Sequence, residues 1–140
     1  HIKPLIDEKK LKFVYLRTTC PFHCHLMDAV RGPFEADIKR LSFSYPGSSL
    51  KVPVFSFWDG RNMQGDADIA IPMYIDMAIN ALYWEKSIEP AARDSKVTHI
   101  IDFGPGKTSQ RLTQDTLAGL KSETPVLAVA VPKDQKELFS

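Results

Sequence analysis

The densest run of reactive side chains in this sequence is Cys20-Pro21-Phe22-His23-Cys24-His25-Leu26-Met27. An imidazole placed as at His23 can take a proton from an attacking hydroxyl and return it later, as nucleophilic acyl transfer requires. Imidazole is more often a half-buried structural group bonded to a carbonyl, and residue type alone favours that reading until the surrounding motif is considered. Thiolate and imidazole are also zinc ligands, so Cys20, His23, Cys24 and His25 raise a metal reading. Structural zinc sites, however, bring together two separated pairs, and His1 and His99 stand alone. Neighbouring side chains diverge on a strand or a helix, so Cys24 is badly placed as a nucleophile for His23. Its expected role is a small packing residue at a helix start.

A second segment, Asp102-Phe103-Gly104-Pro105-Gly106-Lys107, has the composition of a strand end followed by a tight turn into a helix. Gly106-Lys107-Thr108 fails as a phosphate loop, because Ile101 stands where that motif needs its first glycine. The helix start could still attract an anion such as a CoA phosphate. Nowhere does the chain contain a Gly-x-Ser-x-Gly turn. Ser48 and Ser109 lack the strained glycine setting that exposes a nucleophile.

The elements that must carry these residues follow from periodicity. Lys12–Arg17 alternates as a strand. Leu26, Val30, Phe34, Ile38 and Leu41 form a helix face that Pro33 should kink or interrupt. Ser44–Ser49 reads as a turn, Val52–Trp58 as a buried strand and Asp59–Asp68 as a polar loop. Ile69–Leu82 reads as an apolar helix with Pro72 in its first turn, and Trp84–Arg93 as a second helix. Val97–Phe103 is a strand, Lys107–Leu120 a helix, and Pro125–Val131 a strand apolar enough to be buried on both faces of a parallel sheet. Strands separated by helices imply an α/β architecture.

Composition narrows the class. With 140 residues, one domain is expected. A net charge of +1 gives no reason to expect nucleic acid or a membrane as partner. No apolar run approaches the roughly 18 residues of a membrane span. Two cysteines make no disulfide scaffold, which favours a reducing, cytoplasmic setting. The chain opens on His1 rather than a methionine, as expected of a fragment of something longer.

Pro21-Phe22-His23-Cys24 followed by Leu26-Met27 resembles the Pro-x-His-Ser/Cys-x-Leu-Met segment around the catalytic histidine of malonyl/acetyl-CoA:acyl-carrier-protein transacylases. The resemblance continues in the family's order. Val52-Pro53-Val54-Phe55 and Asp59-Gly60 look like the following strand and loop, and Trp84-Glu85-Lys86-Ser87 is similar to the family's Trp-x-x-Ser segment. Thr98 to Gly106 is similar to the strand and glycine turn of type I fatty acid synthases, and the polar close ending in Leu138-Phe139 also fits. The likeness runs from Phe13 to about Phe139 and lies in order and spacing.

The resemblance implies that residues 1–140 are the C-terminal portion of one acyltransferase domain, α/β with a parallel sheet, within a multifunctional type I fatty acid synthase. It implies a ping-pong transfer of acetyl or malonyl from CoA to the phosphopantetheine of acyl carrier protein. His23 would be the general base, oriented by a backbone carbonyl near Met77 or Ala78. Phe22 would shape the acyl site, where a bulky aromatic goes with malonyl over methylmalonyl. The family's serine, oxyanion donors and malonyl-binding arginine cannot be assigned in this chain, so the fragment alone is expected to be inactive. No tightly bound cofactor is implied; acyl-CoA, acyl carrier protein and the rest of the synthase are the partners. Exposed strand edges would favour self-association. Two rivals remain: a non-catalytic interaction or scaffold module that keeps this fold, and a metal or redox module built on Cys20 and Cys24.

Overall fold

The structure, a computed structural model, describes Glu8 and residues 18–138. The strand expected over Lys12–Arg17 and the closing Phe139 lie outside the described residues.

Chain direction is set first at Cys24, which is extended and leads into a 3₁₀ stretch, His25–Val30. This passes at once into α1 (Arg31–Arg40). The expected kink at Pro33 is not where the irregularity lies. Pro33 falls in the first turn of α1, where an N–H has no intrahelical partner to lose, and the tighter geometry precedes it. Phe34 of α1 stacks on Tyr74, with ring centroids 3.3 Å apart and planes within 8°.

The buried strand expected over Val52–Trp58 is not formed. Val52 is exposed, and the segment folds back on itself with one antiparallel bridge, Phe55 to Asn62. Met63 N–H donates to the Val54 carbonyl (2.9 Å) and Ser56 N–H to that of Arg61 (3.1 Å). Gly60, at φ +78°, makes the reversal, its N–H donating to Ser56 O at 2.9 Å. The local turn therefore takes the backbone groups that a sheet would have used, and Pro53 has no N–H to offer one.

Asp68 opens α2 (Ala70–Ala78) by accepting the Ala70 N–H at 2.7 Å, and Pro72 takes the first turn as expected. The helix stops short of Leu82. The N–H groups of Ile79 and Asn80 both converge on the Ile75 carbonyl (2.9 Å each), which ends the i to i−4 ladder. The helix α3 (Trp84–Arg93) then forms over the span its periodicity predicts.

The last third is a β–α–β unit. Strand β1 (Ile100–Asp102) pairs in parallel with β2 (Val126–Ala128), in register Ile100 to Val126, and α4 (Thr108–Gly119) connects them. All three residues of β2 are buried, as its apolar run predicts, and Leu117 of α4 is buried too. Trp84 Nε1 donates to the buried Thr113 hydroxyl (3.0 Å), tying α3 to α4. A further helix, α5 (Pro132–Leu138), has no apolar period to announce it. Its Asp134 accepts the Ala128 N–H (2.8 Å) and the Gln110 amide (2.9 Å), so a polar contact rather than burial docks it. Helices around a small parallel sheet are compatible with the expected α/β class.

Candidate active site

Met27 anchors the His23 segment. It is buried against Ile75, Ala78 and Ile79 of α2 and the residue after it, with Cys20, Val30, Ile71 and Tyr74 packed around them. Cys20 Sγ lies 3.5 Å from Met27 Sδ, and the Cys24 thiol donates to the Pro21 carbonyl (3.1 Å). Cys24 thus closes the turn around its neighbour, a structural task consistent with its expected place at a helix start.

Between these fixed points His23 has φ +63°, in the left-handed region that few non-glycine residues occupy. Two contacts compensate. Its backbone N–H donates to the Ala78 carbonyl at 3.0 Å, and its ring Nδ1 lies 3.2 Å from the carbonyl of Asn80. Because a carbonyl only accepts, Nδ1 carries the proton in this contact, leaving the lone pair on Nε2. Phe57 meets the imidazole edge to face, with ring centroids 6.0 Å apart at 81°. The ring is half-buried rather than sealed in the core.

The carbonyl facing the ring is therefore that of Asn80, not Met77 or Ala78 as expected. Ala78 instead accepts the backbone N–H of His23. The reason is where α2 ends: carbonyls beyond its last turn are released from the helical ladder, and Asn80 is the residue whose released carbonyl faces His23. The Met77 side chain is more than half exposed. Phe22 is 55 % exposed, so it is not a core aromatic. His25 is exposed, and the Nδ1 of His99 lies 3.1 Å from the Thr98 hydroxyl. Among the described residues, no three His, Cys, Asp or Glu side chains come together as a metal site would require.

Asn80 leads to a group that the sequence reading missed. Its side-chain amide donates to Asp76 Oδ1 (2.9 Å), and the Ser56 hydroxyl donates to Asp76 Oδ2 (2.6 Å). Ser56 in turn accepts the Trp58 N–H at 3.1 Å. Asp76 and Ser56 are both buried. The available signal was Asp76 itself, an acid inside the apolar run 69–82, with an amide four residues later on the same helix face.

Asp76, Ser56 and Phe57 also line an open groove of about 830 Å³. Its remaining wall is largely apolar, with Phe34, Tyr45, Met73 and Met77 among the contributors. Nearby, Arg61 clasps both Asp59 and Asp66 (2.9 and 3.0 Å). Partial burial pushes the Asp59 carboxyl up, but hydrogen bonds from the backbone N–H and guanidinium of Arg61, with the guanidinium charge, hold it below the ordinary 3.8. Hydrogen bonding to Asp66 leads the upward shift of Arg61 itself.

No family model matches the chain. Among curated proteins it is 38 % identical over 107 residues to the fatty acid synthase subunit beta of Schizosaccharomyces pombe, covering 74 % of this chain and 5 % of that protein. The corresponding subunit of Saccharomyces cerevisiae is 30 % identical over 106 residues, again 74 % of this chain and 5 % of the relative. An orsellinic acid synthase of Armillaria mellea is 32 % identical over 88 residues, 56 % of this chain and 4 % of that enzyme. The chain thus spans about a twentieth of the synthase subunits it matches. Sharing about three quarters of its length with both yeast subunits, the chain is a homologue of part of the fungal type I fatty acid synthase beta subunit.

Proposed function

We propose that these residues are the C-terminal part of an acyltransferase domain in a type I fatty acid synthase. The domain moves an acetyl or malonyl group from CoA to the phosphopantetheine of acyl carrier protein. The observation that carries this reading is the setting of His23, with Nδ1 held by a backbone carbonyl, Nε2 left with its lone pair, and the ring only half-buried. That is the form of imidazole a general base requires.

In this reading a serine supplied by another part of the synthase attacks the acyl-CoA carbonyl while His23 Nε2 takes its proton. CoA leaves as the thiol on return of that proton, and the acyl group stays on the serine as an ester. The carrier's thiol then gives its proton to His23 and attacks the ester, forming the new thioester and regenerating the serine. Nothing is oxidised or reduced. Phe22, exposed next to the base, would bound the space beside the acyl group's α-carbon.

Supplying the 140 residues with the upstream synthase segment that bears a Gly-x-Ser-x-Gly turn tests this. Transfer from malonyl-CoA or acetyl-CoA to carrier protein is expected from the two together and from neither alone. Transfer by the 140 residues alone would overturn the assignment of the nucleophile to another segment, and none from the assembled pair would overturn the acyltransferase reading.

A further inference from the structure

We propose that Asp76 is a positioning residue for His23, acting through Asn80. The inference rests on the reading of His23 as a base, and it assigns a task to a buried carboxylate that this reading leaves unused.

Asp76 is 5 % exposed, on the helix that buries Ile75 and Ala78 against Met27. A carboxylate is expensive there unless its oxygens are hydrogen-bonded, and an apolar residue of similar volume would pack with less desolvation. Each oxygen has its own donor, the Ser56 hydroxyl on Oδ2 and the Asn80 amide on Oδ1. Ser56 is itself fixed by the Trp58 N–H. The carboxylate is thus the junction between the 56–58 turn and the residue that meets the imidazole.

What this accomplishes is visible at Asn80. It lies beyond the last residue of α2, where no helical ladder dictates the direction of its carbonyl. Two of its own donors set that direction instead: the backbone N–H on Ile75 O (2.9 Å) and the side-chain amide on Asp76 (2.9 Å). With both held, the carbonyl is presented to Nδ1 of His23. The hydrogen bond on one ring nitrogen decides which nitrogen carries the proton, so this tie selects the tautomer whose Nε2 can act as a base. Hydrogen bonds to a charged acceptor are about twice as strong as neutral ones, which favours Asp over Asn at this junction.

The test reads the His23 ring directly. In the ¹⁵N-labelled chain with the ring neutral, long-range ¹H–¹⁵N correlations should show a single tautomer with Nδ1 protonated. Asn80→Ala keeps the backbone carbonyl and removes the tie, so it should give a tautomer mixture, as should Asp76→Ala. Asp76→Asn, which preserves one acceptor for the Asn80 amide, should restore most of the Nδ1–H form. The Asp76→Ala/Asn80→Ala double variant should go no further than Asn80→Ala, because both act through one contact. If Asp76→Ala does not fold, Asn80→Ala and Asp76→Asn decide the matter. An unchanged single tautomer in Asn80→Ala overturns the proposal, and so do independent, additive effects. In the intact synthase Asn80→Ala should lower kcat by about 10- to 100-fold with KM for acyl-CoA unchanged. A tautomer mixture accompanied by full turnover would leave the positioning contact standing and sink the reading of His23 as the base.

Discussion

The backbone N–H of His23 donates to the carbonyl of Ala78 at 3.0 Å, joining a left-handed turn to the last residue of a distant helix. That bond holds the imidazole over the end of α2, where Asn80 can reach its Nδ1. The placement of the imidazole therefore depends on where one helix stops.

The loop between α1 and α2 depends on a close backbone approach at Gly47. A Cβ there would overlap the Met63 carbonyl oxygen and come within 2.8 Å of that of Asp66, while Gly47 N–H already donates to the same Asp66 carbonyl. Backbone cannot yield as a side-chain tip would. Gly47→Ala should cost about 1–3 kcal/mol in urea unfolding. Gly32→Ala in exposed α1, with nothing within 4 Å of the new methyl, should instead stabilise by about 0.5–1 kcal/mol. Equal effects at the two positions would contradict the packing described.

Acid sensitivity should trace to Arg61. Asp59 titrates below 3.8 when folded, so its contribution is present above that value and is lost as pH falls through the folded pKa. The pair is partly exposed, so Arg61→Met should cost about 1 kcal/mol or less near neutrality, and less still in high salt. The gap between wild type and variant should close as pH drops below 3.8. Thermal unfolding across pH gives the answer; a gap independent of pH would remove Asp59 from the explanation.

Phe22 should matter to selectivity and not to stability. Being mostly exposed, its replacement by Ala should leave the unfolding free energy within about 0.5 kcal/mol. In the intact synthase, the ratio of kcat/KM for malonyl over methylmalonyl should fall by about 10- to 200-fold, the range that a single methyl contact allows. An unchanged ratio would make this ring a bystander.

Much of this arrangement could be read from the chain. The helix over Trp84–Arg93, the β–α–β unit ending in the buried strand 126–128, and Pro72 in a first helical turn all follow from periodicity and backbone chemistry. Val52–Trp58 misled because it is rich in valine and aromatic residues, as a buried strand is, yet Gly60 and Arg61 bring the backbone back to bond within the loop. The position of the ring-facing carbonyl depended on the exit of α2, which two N–H groups sharing the Ile75 carbonyl determine. No spacing rule encodes such a convergence. Asp76 was legible in principle, since a lone acid in an apolar helix calls for a buried partner, but Ser56 comes to it only through the missed reversal.

The most direct measurement is acyl transfer by the intact synthase carrying His23→Asn. Asparagine tolerates left-handed backbone and should leave the fold unchanged, while removing the only nitrogen that could act as a base at this position. Loading of label from malonyl-CoA or acetyl-CoA onto carrier protein should fall by about 10³-fold or more. Near-normal loading by a folded variant would contradict the account.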